Sequence, residues 1–159
     1  MKAISYGISK IERILAVILM FCMAVVLAVA VVFRYLLQSP LSWAGEVSIF
    51  LLIWISFIGG SLGLKYKSQA SVTIVMEFIP DNIRKLISVI GHIFMLLFLL
   101  ILIFYSVNWI LSPSVAYQKS TTLLLPMWIP YMAVPLGLSF AAIHLFSNLI
   151  DFFRKDESQ

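Results

Sequence analysis

Four apolar stretches, charged only toward their ends, alternate along this chain with short polar or basic segments, and each is long enough to cross a bilayer as a helix. The first covers residues 14–37 and carries Arg34 and Tyr35 near its far end. A turn, Gln38-Ser39-Pro40, leads into the second, residues 42–64. That stretch opens on Ser42, a residue type that caps helices, sets Glu46 near the positive end of the helix dipole, and stops at Lys65 and Lys67. The third span, residues 82–111, carries Arg84 and Lys85 at its start and stays uncharged from Leu86 past Trp109, and the fourth covers 128–150. Pro126 and Pro130 suit the entrance of the fourth, and Pro135 is expected to kink it. Between the second and third spans, Val72, Val75, Met76 and Ile79 recur at helical spacing while Thr73 and Glu77 stay polar, and Pro80 restarts the chain. This predicts a short amphipathic helix over 71–80 lying in the inner interface; a solvated loop is the alternative.

Wrapped at about 100° per residue, the second stretch separates into two opposed faces. Trp43, Glu46, Phe50, Trp54 and Phe57 form a broad stripe, and Gly45, Ser48, Ser56, Gly59 and Gly63 lie on the other side. Small residues let a neighbouring backbone approach closely in a membrane. The small face is therefore expected to pack within the four helices, leaving the large stripe for a partner or lipid.

Composition supports the membrane reading. Over 159 residues the chain is 62% hydrophobic and only 11% charged, where soluble domains run at about a quarter charged. The expectation is an all-α integral membrane protein of four transmembrane helices in one domain, 1–159. A net charge of +4 and a pI near 9.3 would suggest nucleic acid in a soluble protein. Here the basic residues flank the spans, so topology accounts for them and no nucleic-acid partner is expected. Lys2, Lys10, Arg13, Lys65, Lys67, Arg84, Lys85, Arg154 and Lys155 share one side, while Arg34 and Lys119 alone fall on the other. Both termini are thus expected in the cytoplasm, with Tyr35, Trp43, Trp109, Tyr117, Trp128 and Tyr131 at the outer boundary. Ala28-Val29-Ala30 mimics a signal-peptidase site, but the apolar run continues to Phe33 with no polar cleavage region, so the first span is expected to be retained. Cys22 stands alone, giving neither a disulfide framework nor a thiol metal site.

No Asp, Glu, Lys or Arg falls near the middle of any span. Such a charge costs at least about 2.5–3.5 kcal/mol and is retained where ions or protons move, so this chain does not read as a transporter acting alone. Enzyme chemistry is not expected, since no phosphate loop or nucleophile–base arrangement is visible. Two alternatives stay open. His92 and His144 fall at comparable depth on antiparallel helices, where they could ligate a b-type haem or serve a quinone-enzyme anchor; otherwise each bonds a neighbouring helix or reaches the interface. A small homo-oligomeric exporter would need Glu46 as its membrane acid. Between the last two spans, the loop from Gln118 through Pro126 to Trp128 and Tyr131 is apolar enough to need cover from the bundle, lipid headgroups or a partner.

These residues in this order resemble the DctQ-like small membrane subunit of tripartite ATP-independent periplasmic (TRAP) transporters. The likeness covers nearly the whole chain. It is carried by Trp43 and Glu46, Trp54 with Gly59-Gly60, Lys65-Tyr66-Lys67, Pro80, Gln118 with Ser120, Leu125-Pro126-Met127-Trp128, Tyr131 and Pro135-Leu136-Gly137. Many members have a His just after the second span, where this chain reads Gln69-Ala70-Ser71-Val72. The resemblance implies a non-catalytic subunit of the bacterial inner membrane. It would scaffold a large multi-span subunit that moves substrate by a sodium-driven elevator motion. A periplasmic substrate-binding protein would deliver an organic acid, a sialic acid or a C4-dicarboxylate. It further implies no cofactor here, with the sodium sites in the large subunit. The partner surface would draw on the aromatic stripe together with Gln118, Pro126, Trp128 and Tyr131.

Overall fold

The computed structural model describes residues 2–66 and 81–156; the interfacial helix expected over 71–80 lies outside the described residues. The described residues are helical apart from turns and one isolated bridge. The helices are α1 (Lys2–Tyr35), α2 (Ser42–Lys65), α3 (Asp81–Ile110), the short α4 (Pro113–Ala116) and α5 (Trp128–Tyr131), and α6 (Ala133–Asp156). Among the described residues, four stretches are long and apolar enough to cross a membrane: Ser5–Tyr35, Ser42–Lys65, Ile87–Ile110 and Trp128–Ile150.

Helix α1 starts well before residue 14, because its basic leading segment is helical and carries a polar face that the other helices cover. It ends in a tight turn in which Gln38 takes the left-handed conformation (φ 49°) and the Ser39 N–H donates to the Phe33 carbonyl at 3.1 Å. Leu41, not Ser42, occupies the N-cap of α2, and no side chain caps it. The final span is interrupted at Met132, between α5 and α6. The break falls one turn before Pro135 because a proline ring removes the donor for, and crowds, the carbonyl four residues earlier, here that of Tyr131.

The helices pack in the order α1, α2, α6, α3, with α1 also touching α6. The last span is the centre: 39% of its apolar window is buried within the chain, against 11% for α2, 6% for α3 and none for α1. Ala133, Gly137 and Ala141, spaced four apart along α6, are all buried. They form the close-approach face. Phe57 of α2 lies directly on Gly137, where an added Cβ would meet Phe57 Cβ at 2.6 Å and its backbone at 3.0 Å. On the other flank, Leu99 of α3 packs with Ala141 and Leu145 of α6, joined by Leu64 of α2, Met95 and Leu138.

This geometry reverses the two faces expected for α2. Trp43, Phe50, Trp54 and Phe57 lie on the side of Ile58 and Ser61, which are buried, and Phe50, Trp54 and Phe57 are half-buried themselves. Gly45, Ser56 and Gly59 are exposed, with open space above Gly45 and Gly59, so this face does not pack within the four helices. Ser48 and Ser56 return their hydroxyls to their own helix, donating to the Ala44 and Leu52 carbonyls, each at 2.8 Å. The physical reason lies on α6. It supplies the small residues at the crossing, so α2 must supply the large ones.

Gly137→Ala is therefore expected to destabilise the fold by about 1–3 kcal/mol through overpacking, while Gly59→Ala leaves it unchanged or slightly firmer. Thermal unfolding of the two variants in detergent checks the contrast.

Candidate functional site

Polar chemistry gathers at the two ends of the helix row. At one end, Glu46 reaches from the second turn of α2 to the loop after α4. Its Oε1 accepts from the Thr121 N–H at 2.9 Å and the Thr121 hydroxyl at 3.3 Å. Its Oε2 accepts from the N–H groups of Thr122 at 3.2 Å and Leu123 at 2.9 Å. Three successive amides thus converge on one carboxylate, a backbone nest holding a side-chain anion.

The loop is closed on itself as well. Lys119 and Pro126 form an antiparallel bridge, the Ser120 N–H donates to the Leu125 carbonyl at 2.8 Å, and the Leu125 N–H donates to Ser120 Oγ at 3.1 Å. The Met127 N–H donates to the Gln118 carbonyl at 3.0 Å. Leu124 at the tip adopts φ 55°, a left-handed conformation uncommon for a branched side chain, and is exposed. Tyr117, Leu125 and Trp128 are exposed too, Pro126 is half-buried, and Tyr131 packs on Trp109 with ring centroids 4.6 Å apart. The structure thus brings together Glu46, Gln118 and Pro126 through one loop. It leaves Trp43 at the start of α2 and sets Phe57 against Gly137 of α6.

At the opposite end, three helices share a buried polar cluster in which His144 bonds a neighbouring helix, one of the alternatives left open above, through residues of α1 that the sequence reading did not single out. His144 of α6 is fully buried and Glu12 of α1 nearly so. His144 Nε2 lies 2.7 Å from Glu12 Oε2 and its Nδ1 lies 2.7 Å from Ser5 Oγ, so both ring nitrogens hydrogen-bond to α1. Lys65 of α2 donates from Nζ to the Ser5 carbonyl at 2.9 Å and to Ser9 Oγ, and its ammonium lies 5.5 Å from the Tyr6 ring centre. Asn148 Nδ2 donates to the Leu64 carbonyl at 3.2 Å, and Arg13 donates to the Tyr66 hydroxyl.

A serine, an imidazole and a carboxylate in one line have the connectivity of a hydrolytic triad. This one is sealed from substrate, so its role is structural. Both His144 nitrogens are engaged, which leaves neither free for an axial bond to haem iron unless the cluster breaks. His92 donates from Nδ1 to the Ser88 carbonyl of its own helix at 2.7 Å. Among the described residues, no three His, Cys, Asp or Glu side chains gather as a metal site would require.

Comparison with known proteins decides among the open alternatives. The family model described as the DctQ component of tripartite ATP-independent periplasmic transporters matches residues 23–155. The chain belongs to the DctQ family. It is similar to the ectoine TRAP transporter small permease protein TeaB of Halomonas elongata, 27% identical over 150 residues, covering 94% of this chain and 78% of that protein. It is also similar to the C4-dicarboxylate TRAP transporter small permease protein DctQ of Vibrio cholerae, 25% identical over 152 residues, covering 82% of this chain and 66% of that one. A third relative, the isethionate TRAP transporter permease protein DctMQ of Oleidesulfovibrio alaskensis, is 26% identical over 107 residues; the match takes in 67% of this chain but 17% of that much longer protein. As a DctQ family member with four apolar helices, the chain is a multi-pass membrane component of transport and not an enzyme.

Ser5, Ser9 and Glu12 were missed because a charged leading segment reads as water-facing. The available signal was their spacing, at i, i+4 and i+7, which sets all three on one helix face.

Two outcomes follow. His144→Leu alone should cost about 3–5 kcal/mol, since it strands a buried carboxylate, while His144→Leu combined with Glu12→Leu should recover most of that loss. Thermal unfolding of the single and double variants measures it. Glu46→Gln, which loses the charge and one acceptor oxygen, should speed amide exchange at Thr121, Thr122 and Leu123 by at least about tenfold without unfolding the helices. Hydrogen–deuterium exchange of the lipid-embedded chain reads this directly.

Proposed function

We propose that this chain is the non-catalytic small membrane subunit of a sodium-coupled TRAP transporter importing an organic acid, with both termini in the cytoplasm. It supplies fixed helices that brace a large, moving membrane subunit, and its outer loop helps to dock the periplasmic substrate-binding protein. The observation that carries this reading is where the charged groups are spent. Glu12 and Lys65 bond within one end of the helix row, and Glu46 bonds the loop at the other. Each holds the subunit's own shape.

The relatives add two supports. Their names specify ectoine, a C4-dicarboxylate and isethionate at similar identity to this chain. Substrates that differ this much in charge and shape are better read by another component than by a fold the relatives share. The long DctMQ protein, matched over a small share of its length, is what a covalent union of a small and a large subunit would look like. The open face of α2 at Gly45, Ile49, Ser56 and Gly59, with the uncovered side of α1, offers the contact to the large subunit. The aromatic stripe does not, because it is turned toward the chain's own core. The exposed tip at Leu124 and Leu125 offers the contact to the binding protein.

Proteoliposomes containing the large subunit and its binding protein should show sodium-driven uptake only when this chain is present. Uptake at the full rate in its absence would overturn the proposal.

A further inference from the structure

Among the described residues, two buried side-chain oxygen atoms toward the Glu12–His144 end of the row have no hydrogen-bond partner, Glu12 Oε1 and Ser61 Oγ. We propose that these two atoms bind a single internal water molecule, which joins α1 to α2 and completes a hydrogen-bonded joint across three helices.

Register sets the two groups level. Lys65 of α2 bonds Ser9 of α1, and the helices run antiparallel. One turn back along α2 is Ser61, and about one turn forward along α1 is Glu12. Ser61 also departs from what three other serines of α2 and α6 do. Ser48, Ser56 and Ser139 each donate to the carbonyl four residues earlier, at 2.8, 2.8 and 2.6 Å. Ser61, 1% exposed, does not make that bond. Ser61 lies four residues from Lys65, on the same face of α2.

The chemistry of the pair selects the ligand. A carboxylate oxygen accepts only, so whatever sits between must donate a hydrogen or be a cation. The Lys65 ammonium already stands in the same cluster as the Glu12 carboxylate, bonded to the Ser5 carbonyl and to Ser9 Oγ. A monovalent cation would add an uncompensated charge in a buried site. Water adds none, donates to Glu12 Oε1, and exchanges a hydrogen bond with the Ser61 hydroxyl. It also explains how a carboxylate whose second oxygen finds no protein partner is kept in place.

A structure of the full chain in lipid nanodiscs, at a resolution that shows ordered water, should place density within hydrogen-bonding distance of both oxygens. Direct Glu12–Ser61 contact, or no density, overturns the proposal. Melting in sodium, potassium and choline chloride of equal strength separates water from a cation. Equal melting temperatures in all three support water. A sodium- or potassium-dependent rise that Ser61→Ala abolishes overturns it. Ser61→Ala should lower the melting temperature by roughly 2–4 °C in the natural chain. In the Glu12→Leu, His144→Leu background it should do almost nothing, because the water has lost its main acceptor. An equal shift in both backgrounds would show that Ser61 acts by packing and would also overturn the proposal.

Discussion

The α2–α6 crossing is the contact on which the rest of this chain depends. In lipid, burying an apolar side chain gains little over leaving it against acyl tails, so shape and polar contacts choose which helix faces meet. Phe57 seated on Gly137 fixes how closely the two backbones approach, and Ala133 and Ala141 extend the same low face one turn either way. The other parts attach to this pair. Helix α3 packs on the far flank of α6 through Leu99, and α1 lies along α2.

Each end of the row is then secured by a carboxylate. Glu46 on α2 gathers three loop amides at one end, and Glu12 on α1 is gathered by His144 on α6 at the other. The two devices differ in kind. The Glu46 contact is partly open and shapes a loop whose apolar tip remains exposed, while the Glu12 contact is sealed and ties α1 to α6, with which it otherwise shares little surface. A bare buried charge would be costly, and the His144 partner on a neighbouring helix offsets that cost.

That division of labour accords with membership in the DctQ family. The bracing role proposed above would require the chain to hold its own shape while presenting uncovered helix surface. The first helix, with none of its apolar window buried inside the chain, and the open Gly45–Gly59 side of α2 are such surface.

Length and polarity along the sequence determined that the chain is all-helical with four spans, because a bilayer accepts only apolar helices of a given length with their backbone bonds closed. The proline and glycine punctuation near Pro135-Leu136-Gly137 was legible for the same local reason, although the break itself falls at Met132. Glu46 was visible as a rim carboxylate; that it would organise residues 121–123, more than seventy positions away, was not. Which face of α2 turns inward was decided only in three dimensions. A helix with large residues on one side and small on the other can pack either way, and the choice fell to the small residues of α6. Glu12 and His144 lie 132 residues apart and are unremarkable singly. Only the folded arrangement makes them a pair, because each is tolerable in a buried place solely through the presence of the other.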